Sequence, residues 1–185
     1  MPFTLLALTV IGCRQAPRVA EHLPAASDAS LTDDSTAQSA ARFTQTFYDW
    51  YNAHADRLEI AVKERPEVFE PRLLSALQTD LEASAKNPQE IVGLDWDPFT
   101  ASQDPCDPYK VDGISRRGDT ILVAMRGMCT DTAPRAGPDV IAEVARGPSG
   151  WVFVDLRHPA DSGSLRADLA KLREARDSVS RNPRK

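Results

Sequence analysis

The hydrophobic period of this chain changes twice, and that limits what it can fold into. Apolar residues recur every three or four positions between Ser35 and Ala85, alternate between Tyr109 and Arg157, and return to helical spacing from Leu165. A helix buries one stripe at a period of 3.6 residues and a strand one face at a period of 2, so each pattern fits only one conformation. The order is therefore two helices, about four strands and one further helix. Helices segregated to one side of an antiparallel sheet make an α+β domain. About 145 residues are enough to bury its core without a covalent staple.

The first helix is expected to start near Ser35, where Ser35-Thr36-Ala37-Gln38 has capping-box spacing and Asp33 and Asp34 suit the positive end of the dipole. Its apolar face runs through Phe43, Phe47, Trp50 or Tyr51, His54 and Leu58. In a helix Tyr48 and Trp50 lie about 200° apart, so Phe47 and Tyr51 are the core residues and Tyr48 and Trp50 differ in exposure. A second helix is expected from Pro71 to about Ala85, with Leu73, Leu74, Leu77 and Leu81 as its stripe and Asn87-Pro88 as its stop. The last helix starts near Ser162 or Ser164 and puts Leu165, Leu169, Leu172 and Val179 on one face.

Between the helices, Tyr109 to Arg116 and Asp119 to Cys129 flank Arg117-Gly118, which reads as a two-residue turn. Val140 to Arg146 and Trp151 to Arg157 flank the four-residue loop Gly147-Pro148-Ser149-Gly150. If Arg117-Gly118 is the turn, Arg116 faces Asp119, and the same register brings Cys106 opposite Cys129. Opposed strand residues have Cα separations of roughly 4.5–5.5 Å, within the range a disulfide accepts.

At the amino terminus, Phe3 to Ile11 (FTLLALTVI) is apolar and is followed by Gly12 and Cys13. A membrane-spanning helix needs about 20 apolar residues, so this run has the length of a secretory signal core. Val10-Ile11-Gly12-Cys13 resembles the bacterial lipobox, in which the chain is cut before the cysteine and its sulfur is lipidated. The competing reading is a buried strand ending in a core cysteine. Arg14 to Ala37 argues against it, being rich in Ala, Pro, Ser and Asp without periodicity, as a flexible tether is. The expected organisation is a signal peptide over residues 1–12, lipidated Cys13 and tether over 13–37, the folded domain over 38–180 and a basic tail over 181–185. Arg14 is not the Asp that resembles an inner-membrane retention signal, which points to the outer membrane. With Cys13 assigned to lipid, Cys106 and Cys129 remain as a pair that an oxidising periplasm would bridge.

Phe47-Tyr48-Asp49-Trp50-Tyr51 (FYxWY) resembles the hallmark of the domain-of-unknown-function family 3828, found in bacterial envelope lipoproteins. The resemblance continues in Asp97-Pro98-Phe99, Gln103-Asp104 and Trp151-Val152-Phe153-Val154-Asp155, and covers most of Ala40 to Leu172. It implies a cystatin-like roll, in which a curved antiparallel sheet wraps a long helix and leaves room for a conical pocket. It implies no activity.

The residues themselves supply little catalytic chemistry. There is no Gly-rich phosphate loop, paired-cysteine zinc motif, HExxH or GxSxG, so no catalytic residue, metal or cofactor is assigned. His22, His54 and His158 are scattered, with His22 in the tether. The formal charge of −5 gives no basic field for nucleic acid. Ser164 to Lys185 nevertheless carries +4, leaving −9 for the rest, so the last helix is either a solvated basic face or a docking surface. Asp95, Asp97, Asp104 and Asp107 are interleaved with prolines, either as turn chemistry or as carboxylates at a pocket mouth.

The leading expectation is a non-catalytic binding module, lipid-anchored at the envelope and facing the periplasm, that engages an envelope protein partner. Its candidate pocket or interaction residues are Tyr48, Trp50, His54, Asp97, Asp104, Trp151 and Asp155. The 24 residues from Arg14 to Ala37 give it a reach of roughly 25–30 Å. The alternatives are a small-molecule-binding or catalytic roll using Asp97, Asp104 or Asp155 with His54, and an immunity protein against a periplasmic toxin. Inward-facing carboxylates with raised pKa favour an enzyme; an interior filled by Phe and Leu favours a binding module.

Overall fold

The computed structural model describes residues 35–54, 57–103, 106–129, 137–160 and 162–181. Cys13, the tether up to residue 34, His22, Asp104 and residues 182–185 of the basic tail lie outside the described residues.

The α+β expectation holds. Helices α1 (Ser35–Asn52), α2 (Arg57–Glu64) and α3 (Pro71–Lys86) precede β1 (Tyr109–Arg117), β2 (Thr120–Gly127), β3 (Val140–Gly147), β4 (Gly150–His158) and the two-residue β5 (Gly163–Ser164); α4 (Leu165–Arg181) follows. The strands form one open antiparallel sheet in sequence order, β1-β2-β3-β4-β5.

The first helix does not run on to Leu58. It stops at Asn52, and Leu58 belongs to α2, a helix that periodicity did not separate because both segments turn an apolar face to the same core. A short 3-10 turn, Pro66–Val68, then leads to Phe69 and Glu70. There the chain runs briefly parallel to β4: Phe69 bridges Phe153, and the Glu70 N–H donates to the Phe153 carbonyl at 2.9 Å.

Both hairpin turns differ from the expected ones. Arg117 pairs with Thr120, so the first turn is Gly118-Asp119, and the register beside it is displaced by two from the expected one. Gly118 has φ +58°, and primed hairpin turns demand such a residue at their first central position. A bulge between Val111 and Gly113 takes back one of the two positions. In the second hairpin Gly147 pairs with Gly150, leaving Pro148-Ser149 as a two-residue turn instead of a four-residue loop. Proline's fixed φ suits the first central position there.

One face of the sheet is buried: Ile121, Val123 and Met125 on β2, Val140, Ala142 and Val144 on β3, and Phe153 and Leu156 on β4. Helix α1 packs chiefly on β1, with Ala37, Ala40, Ala41, Thr44, Phe47, Tyr48 and Tyr51 buried along one stripe. The edge of β1 is also covered by α1, since the Gln45 side chain donates to the Tyr109 carbonyl and accepts from the Val111 N–H, each at 3.0 Å. That amide does for an edge strand what a neighbouring strand would do. Leu165 and Leu169 of α4 are buried as expected, but Val179 is 68% exposed because that end of the apolar stripe is uncovered.

Candidate functional site

Tyr48 and Tyr51 lie three residues apart on α1, so both face the same side of the helix. Both are fully buried, and a buried phenol needs a hydrogen-bond partner. Tyr48 Oη donates to the Phe99 carbonyl at 2.7 Å, and Tyr51 Oη donates to Asp97 Oδ1 at 2.8 Å. Tyr109, also buried, donates to the Thr100 carbonyl at 2.8 Å. His158 Nε2 lies 3.0 Å from the Pro98 carbonyl, with its ring edge-on to Trp96. Every residue of Asp97-Pro98-Phe99-Thr100 is thus tied to α1, β1 or β4. The aromatic motif and the Asp-Pro-Phe motif, far apart in sequence, form one structural unit.

Phe99 closes the unit from within. Its ring contacts Phe47, Tyr51 and Phe153 at centroid distances of 4.8, 4.8 and 5.3 Å, and Phe69 joins the cluster at 6.2 Å. These side chains fill the space between α1 and the sheet where the resemblance allowed a conical pocket.

Asp97 sits at the boundary between this core and solvent. Burial pushes its carboxyl above the usual range; the Phe99 N–H at 2.9 Å, the Tyr51 hydroxyl and Arg57 hold it partly back. Burial and the neighbouring Asp97 together push the Tyr51 hydroxyl well above the ordinary tyrosine value. Asp97 Oδ2 faces Arg57 Nη1 across 3.9 Å, and that Nη1 is buried without a hydrogen-bond partner. Both groups line an open cleft of about 650 Å³ whose apolar wall includes Leu58, Leu81, Leu94 and Trp96. A carboxylate and a guanidinium side by side against an apolar wall suit one polar group of a small ligand.

The other candidate residues are dispersed. Tyr48 is buried and Trp50 half-buried, as the helical geometry required. Trp50 packs at a tilt against the His54 ring, 4.5 Å between centroids, and carries Arg65 over its ring at 5.0 Å, while His54 Nδ1 lies 2.7 Å from the Trp50 carbonyl. His54 does not line the Asp97 cleft. Trp151 donates its indole N–H to Ser39 Oγ at 3.1 Å and packs under Arg146 at 4.1 Å. Asp155 is engaged at the start of α4, where Oδ1 accepts the Arg166 N–H at 3.0 Å. The expected grouping of Asp155 and His54 with Asp97 is therefore not assembled. The sequence reading missed Arg57, the ionic partner of Asp97, because it lies where one continuous helix was expected.

Among the described residues no cluster of His, Cys, Asp and Glu is arranged to hold a metal ion. Nor is any described helix long and apolar enough to cross a membrane. No protein-family model, curated protein or solved structure matches the chain.

Proposed function

We propose that this chain is a lipid-anchored protein of the bacterial envelope, whose α+β domain is a non-catalytic binding module for a protein partner. The observation that carries the module reading is the filled interior: Phe47, Phe69, Phe99 and Phe153 occupy the space between α1 and the sheet. Asp155 is committed to capping α4, and the tyrosines of FYxWY are committed to carbonyl and carboxylate partners. The anchor rests on the lipobox-like Val10-Ile11-Gly12-Cys13, and the outer membrane on Arg14. The cysteines at disulfide distance support an oxidising compartment. Membership of the family-3828 lipoproteins belongs to this proposal; its support is the contact between FYxWY and Asp97-Pro98-Phe99.

Expression in a bacterium with labelled palmitate tests the anchor. The wild-type protein should be labelled and partition with membranes, and Cys13→Ser should abolish both. An unlabelled wild-type protein in the aqueous fraction sinks the reading.

One observation favours the second reading, a roll that binds or transforms a small molecule. Asp97 carries a raised pKa and faces Arg57 at the cleft, as a tuned carboxylate would. Its test is a thermal-shift screen of small polar metabolites on wild type and Asp97→Asn. A ligand that stabilises only the wild type supports it, and no such ligand removes it.

A further inference from the structure

Helices α3 and α4 run parallel in a fixed register. Arg166 pairs with Glu70 and Arg176 with Asp80, and in both pairs the partners are 96 residues apart. Along the seam lies a cleft of about 510 Å³ whose walls carry Arg72 from α3 and Arg166, Arg173 and Arg176 from α4, with Ala76 and Leu169 also lining it. Among the described residues no carboxylate lines this cleft. Arg72 and Arg173 are exposed, and among the described residues neither is in an ion pair. Arg166 Nε is buried and has no acceptor. The cleft shares Thr79 and Arg176 with a second one of about 600 Å³, where Ile91 is 80% and Val179 68% exposed. The seam is thus a groove with unpaired Arg72 and Arg173 at one end and, at the other, exposed Ile91 and Val179 beside Glu82, Lys86 and Glu90.

We propose that this groove docks an acidic, amphipathic segment of the protein partner. The inference deepens the binding-module reading and rests on it. Charge complementarity selects the occupant: the guanidinium groups of Arg72 and Arg173, exposed and outside ion pairs, stand beside Arg166, whose Nε lacks an acceptor, on a protein whose overall charge is −5. An acidic segment is repelled by most of the surface and attracted here, which is how complementary charge confers specificity and encounter rate. Guanidinium groups bind carboxylates through paired, charge-assisted hydrogen bonds. Ile91 and Val179 offer apolar contact at the other end, so the segment carries acidic residues at one end and apolar ones at the other. From Pro71 to Lys86, α3 is roughly 24 Å long, the span of about seven extended residues. A recessed cleft with apolar side chains between its arginines suits a peptide's side chains better than the plane of a bilayer.

The test uses the full-length protein in detergent, panned against a random-peptide display library. Enriched peptides should combine Asp or Glu with apolar residues, and their binding should weaken with salt. Arg72→Glu with Arg173→Glu should weaken it about tenfold or more per arginine. Both side chains are exposed and outside ion pairs, so the fold should survive; circular dichroism checks this, and Arg72→Gln with Arg173→Gln gives a milder second variant. Enriched peptides insensitive to both variants overturn the groove but leave the module reading intact. Absence of any enriched peptide overturns both. Arginine-dependent binding to phosphatidylglycerol vesicles over phosphatidylcholine ones, without peptide binding, overturns the peptide in favour of a lipid.

Discussion

Tyr51 Oη and Asp97 Oδ1 are 2.8 Å apart, and this bond, with the one from Tyr48 Oη to the Phe99 carbonyl, joins the aromatic motif of α1 to the Asp-Pro-Phe turn. The same oxygen accepts the Phe99 N–H, so the turn is held by its own carboxylate and by α1 together. Tyr51→Phe deletes one donor to a charged acceptor and should cost about 1.5–3 kcal/mol. Tyr48→Phe deletes a donor to the neutral Phe99 carbonyl, leaves that buried carbonyl unsatisfied, and should cost about 1–3 kcal/mol. Urea denaturation of the three proteins measures both. A loss below about 0.5 kcal/mol in each would mean that the tyrosines serve only as apolar filler.

Asp97 should also make stability fall as pH rises. Its carboxyl has a folded pKa raised above the ordinary value of 3.8, so in the window above 3.8 the folded protein binds more protons than the unfolded chain. Stability rises with pH only where the unfolded state binds more protons; here the sign is opposite. The effect is absent below the unfolded value and complete once pH exceeds the folded one. Asp97→Asn keeps an oxygen for the Tyr51 and Phe99 donors and should remove this decline. Denaturation midpoints of wild type and Asp97→Asn, compared from acidic to neutral pH, should diverge in favour of the variant. Parallel curves would show that Arg57 and the two donors already offset the burial.

The fold class was legible because it rests on period, and period survives errors of a residue or two. Tyr109 to Gly127 remained a hairpin although its turn was misplaced, since alternation locates strands and not the residues between them. The break at Asn52 was invisible for the converse reason: Leu58 continues the helical spacing whether or not the helix does. At the candidate site, Phe47 and Tyr51 were legible as core residues, but the partner of Tyr51 was not, and nor was the full burial of Tyr48. Nothing in local sequence records that Asp97 meets Tyr51 or that Asp155 meets Arg166, because tertiary packing alone brings them together.

Arg176 and Asp80 form the most buried ion pair described between helices. Arg176 Nη1 donates to Asp80 Oδ1 at 2.6 Å and to the Val92 carbonyl at 2.7 Å, and Asp80 Oδ2 accepts the Leu94 N–H at 2.9 Å. The Asp80 side chain is 3% exposed. Removing one member of a buried pair strands the other charge, so Arg176→Met should cost about 3–5 kcal/mol. Adding Asp80→Asn relieves the stranded charge, so the double variant should recover part of that loss. Chemical denaturation of the four proteins tests it; a double variant that equals the sum of its singles would deny the coupling.

Cys106 and Cys129 lie at disulfide distance, with Cα atoms 4.9 Å apart. The expected proximity holds although the register behind it was displaced by two at the turn, because the bulge beside Asp112 returns one position. The bond closes a sequence separation of 23 residues, for which the chain-entropy account gives about 3 kcal/mol. Reduction should therefore lower stability by about that amount without unfolding a domain of ordinary stability. Gly127 is coupled to the bridge by space: a Cβ there would lie 2.9 Å from Cys106 Cβ and 2.9 Å from Tyr109 Cζ. Tyr109 cannot swing away, since it is buried and bonded to the Thr100 carbonyl. Gly127→Ala should cost about 1–3 kcal/mol, the range for overpacking a filled site. If the bridge is what holds Cys106 against Gly127, the penalty should shrink in a Cys106→Ser, Cys129→Ser background. Urea denaturation in both backgrounds measures this, alongside thiol labelling of the denatured, unreduced protein. Two free thiols would remove the bridge from the account, and the same alanine penalty in both backgrounds would assign the clash to Tyr109 alone.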